Sequence, residues 1–310
     1  MIKIEHLTKK YGERYAINDL SFEVKRGEIV GFLGPNGAGK TTTMSILTGY
    51  LSSTSGRAEI DGLDILEHPF AAKKKIGYLP EQPPLYLDMT VYEYLSFIYD
   101  LKKCTLNRDE HIGEIAKVVK IDNCLNRIIR NLSKGYRQRV GIAGALVSNP
   151  EVVIFDEPTN GLDPKQIIDI RNLIKELGKD HTVILSTHIL SEVKMICDRI
   201  IIINEGRIVA DRRTDDIEGA LVGNRRIMLR AEGPIATVSN SIRKINGVNS
   251  VTVAVDYGDG TASYLVESDN AVDVRKPIFN LLAQNAWPIL ELEPVGATLE
   301  SIFISVIGSN

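Results

Sequence analysis

Residues 34–42, GPNGAGKTT, constrain this chain more than any other stretch. They follow the apolar run EIVGFL at 28–33 and precede Met44, Leu47 and Leu51, whose spacing suits a helix, so the local order is strand, loop, helix. Gly34, Gly39, Lys40 and Thr41 fit G-x-x-x-x-G-K-[ST], with Pro35, Asn36, Gly37 and Ala38 between the glycines and Thr42 closing the run. Small residues let successive backbone N–H groups turn inward on an anion, and the helix beginning there adds a partial positive charge. Lys40 is expected to bridge the β- and γ-phosphates of a nucleotide and the Thr41 hydroxyl to ligate magnesium, so ATP and Mg2+ are the expected ligands.

A magnesium site also needs a carboxylate at the end of a neighbouring buried strand. EVVIFDEPT supplies Asp156 directly after apolar residues, and Glu157 follows where a carboxylate can take a proton from attacking water. Further apolar strand patterns lie at IGYL (76–79), HTVILS (181–186) and RIIII (199–203), alternating with helical patterns. Such strands imply a parallel sheet covered on both faces, an α/β core. IKIEHL (2–7) and SFEV (21–24) are short strand patterns ahead of the loop, and residues from about 84 to 150 carry helical periodicity, which reads as a helical insertion.

After residue 222 the pattern restarts. RRIMLRA, SVTVAVD, ASYLVES and PILELE read as strands, ATVSNSIRKIN and VRKPIFNLLAQN as helices, and DYGDG at 256–260 as the turn between the middle strands. This βαββαβ order is that of a small ferredoxin-like α+β domain, with TLESIFISVIG as a final helix. Two domains, 1–220 and 222–310, suit 310 residues, more than one core usually serves.

Composition excludes several classes. With 44% hydrophobic and 25% charged residues the chain should fold, and a net charge of −3 is too balanced for a nucleic-acid binder working through bulk charge. The densest apolar runs, VVIF and IIII, are far below the ~20 residues of a membrane span. The amino terminus carries no apolar core of a secretory signal. Cys104, Cys124 and Cys197 lack the spacing of a zinc site or a disulfide framework, which fits a reducing cytoplasm.

Together these residues resemble a family. NLSKGYRQR at 131–139 is similar to the signature of ATP-binding cassette (ABC) ATPases, Tyr11 in KKYG to their aromatic loop residue, and Gln82 in LPEQ to their Q-loop glutamine. GLD at 161–163 resembles the D-loop and His188 in LSTHIL the switch histidine, all in the family's order over about residues 1–215. The resemblance implies a P-loop NTPase core with an N-terminal antiparallel β part. It also implies that Tyr11 stacks on adenine, Gln82 touches magnesium or water, and His188 contacts the γ-phosphate or orients Glu157. Ser133 and Gly135 of one subunit would complete the phosphate site of another in a head-to-tail dimer of two copies or related subunits, with Asp163 at the contact. Where the family has two glycines after the serine, the first is Lys134 here. The signature variant and the appended small domain look like the drug-export and gliding-motility branch, which implies a separate integral membrane permease and a cytoplasmic subunit peripheral at the inner face of the membrane. A soluble ABC ATPase of repair, translation or regulation is the alternative, although the long coiled coil or second cassette of such members is not visible.

Overall fold

In a computed structural model, which describes residues 2–214, 225–269 and 272–295, the chain divides into one unit ending at Thr214 and a second beginning at Asp215. The first unit opens with β1 (Ile2–Tyr11) and β2 (Arg14–Val24), an antiparallel pair longer than the apolar patterns that announce it. β3 (Ile29–Leu33) leads into the glycine loop and α1 (Lys40–Leu47). β4 (Ser55–Ile60), β5 (Leu63–Asp64) and α2 (Pro69–Lys74) follow, none of them expected from sequence. β4 and β5 extend the first pair into an antiparallel sheet of order β2-β1-β4-β5.

β6 (Ile76–Leu79) precedes the helical stretch: α3 (Val91–Lys102), α4 (Arg108–Val118) and α5 (Lys134–Leu146). Thr90 starts α3 through a reciprocal capping box with Glu93, and the Asn107 side chain accepts the backbone N–H of Glu110 at the start of α4. β7 (Val152–Asp156), α6 (Pro164–Leu177), β8 (Thr182–Thr187), α7 (Leu190–Ile196), β9 (Arg199–Asn204) and β10 (Arg207–Arg213) complete the unit. In the second sheet, β10-β9-β3-β8-β7-β6, all neighbours are parallel except the edge strand β10. Every residue of β3, β7 and β8 is buried, as strands covered on both faces require. β3 lies between β8 and β9, so the loop leaves the middle of the sheet.

The core that holds this loop draws on both sheets. Ile4, Leu20 and Ile60 of the antiparallel sheet share one apolar cluster with Phe32, Ile154 and Ile201 of the parallel sheet, and Met44 and Leu47 of α1 join it. Fully burying a side chain of this size contributes about 1.5–3 kcal/mol. The start of α1 is therefore fixed by its own packed body.

In the second unit β11 (Arg225–Glu232), α8 (Ile235–Arg243), β12 (Val248–Asp256), β13 (Thr261–Ser268), α9 (Arg275–Gln284) and β14 (Ile289–Val295) follow the βαββαβ order. Its antiparallel sheet runs β12-β13-β11-β14. Leu229, Tyr264 and Val266 of the sheet pack with Val238, Ile242, Ile278 and Leu282 of the two helices in a separate core. The expected final helix at 298–308 and the expected boundary at 220–222 lie outside the described residues.

Candidate functional site

Local sequence dictates the loop's shape. Gly39 caps α1 at φ 107°, and a Cβ there would stand 2.5 Å from the Ala16 carbonyl oxygen, so position 39 needs glycine for both conformation and space. Gly34 approaches the sheet closely enough that a Cβ would meet the Ile203 carbonyl at 2.4 Å. The first turn of α1 carries no acidic residue, so its positive end is not neutralised locally. Asn36, Gly37, Gly39, Lys40, Thr41 and Thr42 line a cavity of about 290 Å³. Gly34 and Pro35 serve it from behind, their carbonyls accepting from Lys40 Nζ at 2.8 and 3.2 Å, while Ala38 is buried in the core.

β7 and β8 bring the acidic residues to the same place. Asp156 ends β7 fully buried, with Oδ1 accepting from the Ser186 hydroxyl of β8 and Oδ2 left without a partner. Burial lifts its carboxyl above the ordinary carboxylate range; Ser186 and Thr41 pull the other way, and Glu157 and Glu81 add repulsion. Glu157 follows in the left-handed region at φ 48°, a conformation that costs a non-glycine residue about 1–3 kcal/mol and concentrates at functional sites. Its N–H donates to the Ser186 carbonyl and its own carbonyl accepts from Asn160, which holds the turn. The Glu157 carboxylate is buried, 3.4 Å from Lys40 Nζ through Oε1 and 2.9 Å from His188 Nδ1 through Oε2. Lys40, Glu157 and His188 thus form one contiguous polar row in the cavity.

Other expected residues stand elsewhere. Glu81, not Gln82, lines this cavity, where its Oε1 accepts from Asn160 Nδ2 at 2.7 Å; Gln82 lines a neighbouring hollow with Lys134 and Arg137. The loop after β6 presents its first polar residue to the cavity, one position ahead of the glutamine that the resemblance favours. Tyr11 ends β1 about half exposed, with Lys9 Nζ 5.3 Å from its ring centroid, and it does not line the cavity. Ser133 caps α5, accepting from the Tyr136 N–H at 3.4 Å, and Asp163 caps α6, accepting from the Gln166 N–H at 2.9 Å with Pro164 at the first helical position. Gly135 lies against the Gln166 side chain, which a Cβ would meet at 2.5 Å. None of these three lines the cavity of its own chain.

The profile of the ABC transporter family matches residues 17–160. The bacitracin transport ATP-binding protein BcrA of Bacillus licheniformis is 32% identical over 99% of this chain and 97% of its own length. The linearmycin resistance ATP-binding protein LnrL of Bacillus subtilis is 32% identical over 99% of this chain and 98% of its own. This chain belongs to the ABC transporter family. Among solved structures, the ATP-binding cassette MJ0796, a dimer in a post-hydrolysis state with ADP and phosphate, superposes with a TM-score of 0.63 at 29% identity, covering 69% of this chain and 99% of that one. The lantibiotic transport ATP-binding protein SrtF of Streptococcus pyogenes, 36% identical, is matched by 70% of this chain and over 93% of its own length.

This ABC protein is thus an ATP-binding, ATP-hydrolysing subunit of a transporter. Whether its residues also suit magnesium is answered by Asp156. Among the described residues no cluster of three His, Cys, Asp or Glu side chains is arranged to hold a metal. The unpartnered, desolvated Asp156 Oδ2 is a cation's natural counter-charge, and the Thr41 hydroxyl its neutral neighbour. The residues fit. No helix of the ABC subunit among the described residues is long and apolar enough to cross a membrane.

Proposed function

We propose that this subunit binds Mg-ATP between two head-to-tail copies, or between one copy and a related subunit, and that closure and hydrolysis drive a separate membrane permease in export. The observation that carries this reading is the split of the site: Lys40, Glu157 and His188 converge in one cavity while the signature serine Ser133 is exposed and outside it. A nucleotide held by one chain leaves its outer side to Ser133, Gly135 and Asp163 of the other, with Lys134 adding a charge that favours an anion. Tyr11, exposed beyond the loop, stacks on adenine, an interaction open to any base.

Within one chain the contacts support a role for each residue. Lys40 is held by the Gly34 and Pro35 carbonyls and by Glu157, and incoming phosphates compete for the same ammonium. Transfer of Lys40 to the phosphates frees Glu157 Oε1 to accept a proton from water, while Oε2 stays oriented by His188. Thr41 and Asp156, with Glu81 facing the same space, would hold magnesium, which would supply positive charge against the phosphate oxygens. Gln82, which lines the neighbouring hollow, would relay between the magnesium or attacking water and a partner.

Export follows the relatives of nearly full-length match, whose names concern bacitracin transport and linearmycin resistance. A permease-bound subunit of this kind works at the cytoplasmic face of the membrane. The domains read as a cassette and an accessory ferredoxin-like domain. The test is specific ATPase activity of the purified chain over a hundredfold range of protein concentration. A trans-completed site predicts turnover per chain that rises with concentration before levelling, and flat turnover down to the lowest concentration contradicts it.

A further inference from the structure

Glu192 is a titratable side chain that the account above does not use. It lies on α7 with no exposed surface. Its Oε2 accepts from the Thr159 hydroxyl at 2.8 Å and from the Thr187 hydroxyl at 3.1 Å, and its Oε1 stands 3.4 Å from Arg171 Nη2 of α6. Thr159 comes two residues after Glu157, and Thr187 comes one before His188. The Thr187 hydroxyl also accepts the Ile189 N–H at 3.1 Å, so it fixes the backbone on the far side of His188 as well. One buried oxygen therefore ties together the two segments that carry the base and the switch histidine.

We propose that Glu192 is a positioning residue for ATP hydrolysis, holding His188 and Glu157 in register through Thr187 and Thr159. A hydroxyl that gives its proton to Glu192 has fixed orientation, and Thr187 can then receive the Ile189 N–H only from one side. An amide in the same volume removes the counter-charge of Arg171 and has one acceptor oxygen where the carboxylate has two, so an NH2 group must face either the two hydroxyls or Arg171 and the register is disturbed. His188 Nδ1 sits 2.9 Å from Glu157, and a displacement near 1 Å at such a contact costs up to ~10² in rate. Asn160, next to Thr159, donates to Glu81 at 2.7 Å, so the same register reaches another residue lining the cavity.

A buried carboxylate with an arginine partner also stabilises a fold, and the experiment separates the two roles. The purified full-length chain is compared with Glu192→Gln, His188→Ala and the double variant for ATP affinity, kcat and thermal midpoint. Expected for Glu192→Gln are ATP affinity within about twofold and kcat lower by roughly tenfold or more. In the His188→Ala background the same change should cost less than about twofold, because what Glu192 sets is the contact between His188 and Glu157, and that contact is already gone. Thr187→Ser should keep activity and Thr187→Val should lose it to the same extent as Glu192→Gln. Losses that multiply in the double variant, or a lowered thermal midpoint with unchanged kcat, overturn the proposal. The inference rests on the assignment of His188 as the switch: a wild-type kcat in His188→Ala refutes that assignment and the proposal with it, whereas a slow His188→Ala beside a normal Glu192→Gln refutes the proposal alone. If Glu192→Gln does not fold, Thr187→Val and Thr159→Val carry the same comparison, and normal kcat in both overturns it.

Discussion

The two halves of the proposed nucleotide site are built in opposite ways. The half around Lys40 is buried and interlocked: Lys40 and Glu157 are each 6% exposed, bonded to each other and to backbone carbonyls or His188. The half around Ser133 and Asp163 consists of two helix caps whose side chains satisfy only their own helices, and both project at the surface. A preorganised cluster needs no partner to exist, while an exposed helix start becomes a site only when a second surface brings a phosphate to it. That contrast predicts which substitutions abolish chemistry and which abolish assembly.

The largest effect is expected at the base. Glu157→Gln keeps shape and loses proton acceptance, so kcat should fall by ~10² to 10⁴ with ATP binding retained, measured by phosphate release and equilibrium binding. Undiminished kcat would mean that the buried half does not hold the base. Next is Lys40→Ala, which removes the cation from the cavity; loss of charge-assisted contacts of about 1.5–3 kcal/mol predicts ATP affinity ~10 to 150 times weaker by titration calorimetry.

Asp156 gives a smaller effect of opposite sign. Its carboxyl is raised by burial, so its contribution favours the fold at pH below the ordinary carboxylate range and is lost as pH rises through the raised value. At neutral pH the charged, half-partnered side chain is a cost, and Asp156→Asn relieves it. The nucleotide-free variant should melt about 2–4 °C higher, corresponding to ~1 kcal/mol, while losing magnesium-dependent turnover. A lower melting point would show that Asp156 is a stabilising element and not a ligand kept for a cation. The smallest effect is expected from ending the chain at Thr214, since every residue of the buried half precedes that point. ATP affinity should stay within about twofold, and a larger change would show that the second unit supports the site.

Much of the buried half was legible because its strands are continuous apolar runs ending in a motif: β6 is the stretch IGYL, and β7 and β8 fall within one residue of their patterns. β4 and β10 escaped notice for a physical reason. Only Ala58 and Ile60 of β4 are buried, and no residue of β10 is, so neither carries the alternation that marks a strand. Glu81 lines the cavity beside the expected Gln82, and the sequence carries no sign of it because two polar neighbours in LPEQ differ only in which the backbone turns toward that space. The Glu192 network left a fainter signal, a carboxylate beside Leu190, Val193 and Ile196 on the buried side of α7. Its partners, Thr159, Thr187 and Arg171, are spread over three elements that only the fold brings together.

The central claim is that the two halves meet on one ATP from different chains. Size-exclusion chromatography with ATP tests it on Glu157→Gln, expected to retain nucleotide, and on Glu157→Gln with Ser133→Arg, which would place bulk where the second chain's cap must reach the phosphate. The account predicts that the single variant elutes as a dimer retaining ATP and the double variant as a monomer that still binds it. Elution of both as the same species, with similar retained nucleotide, would contradict it.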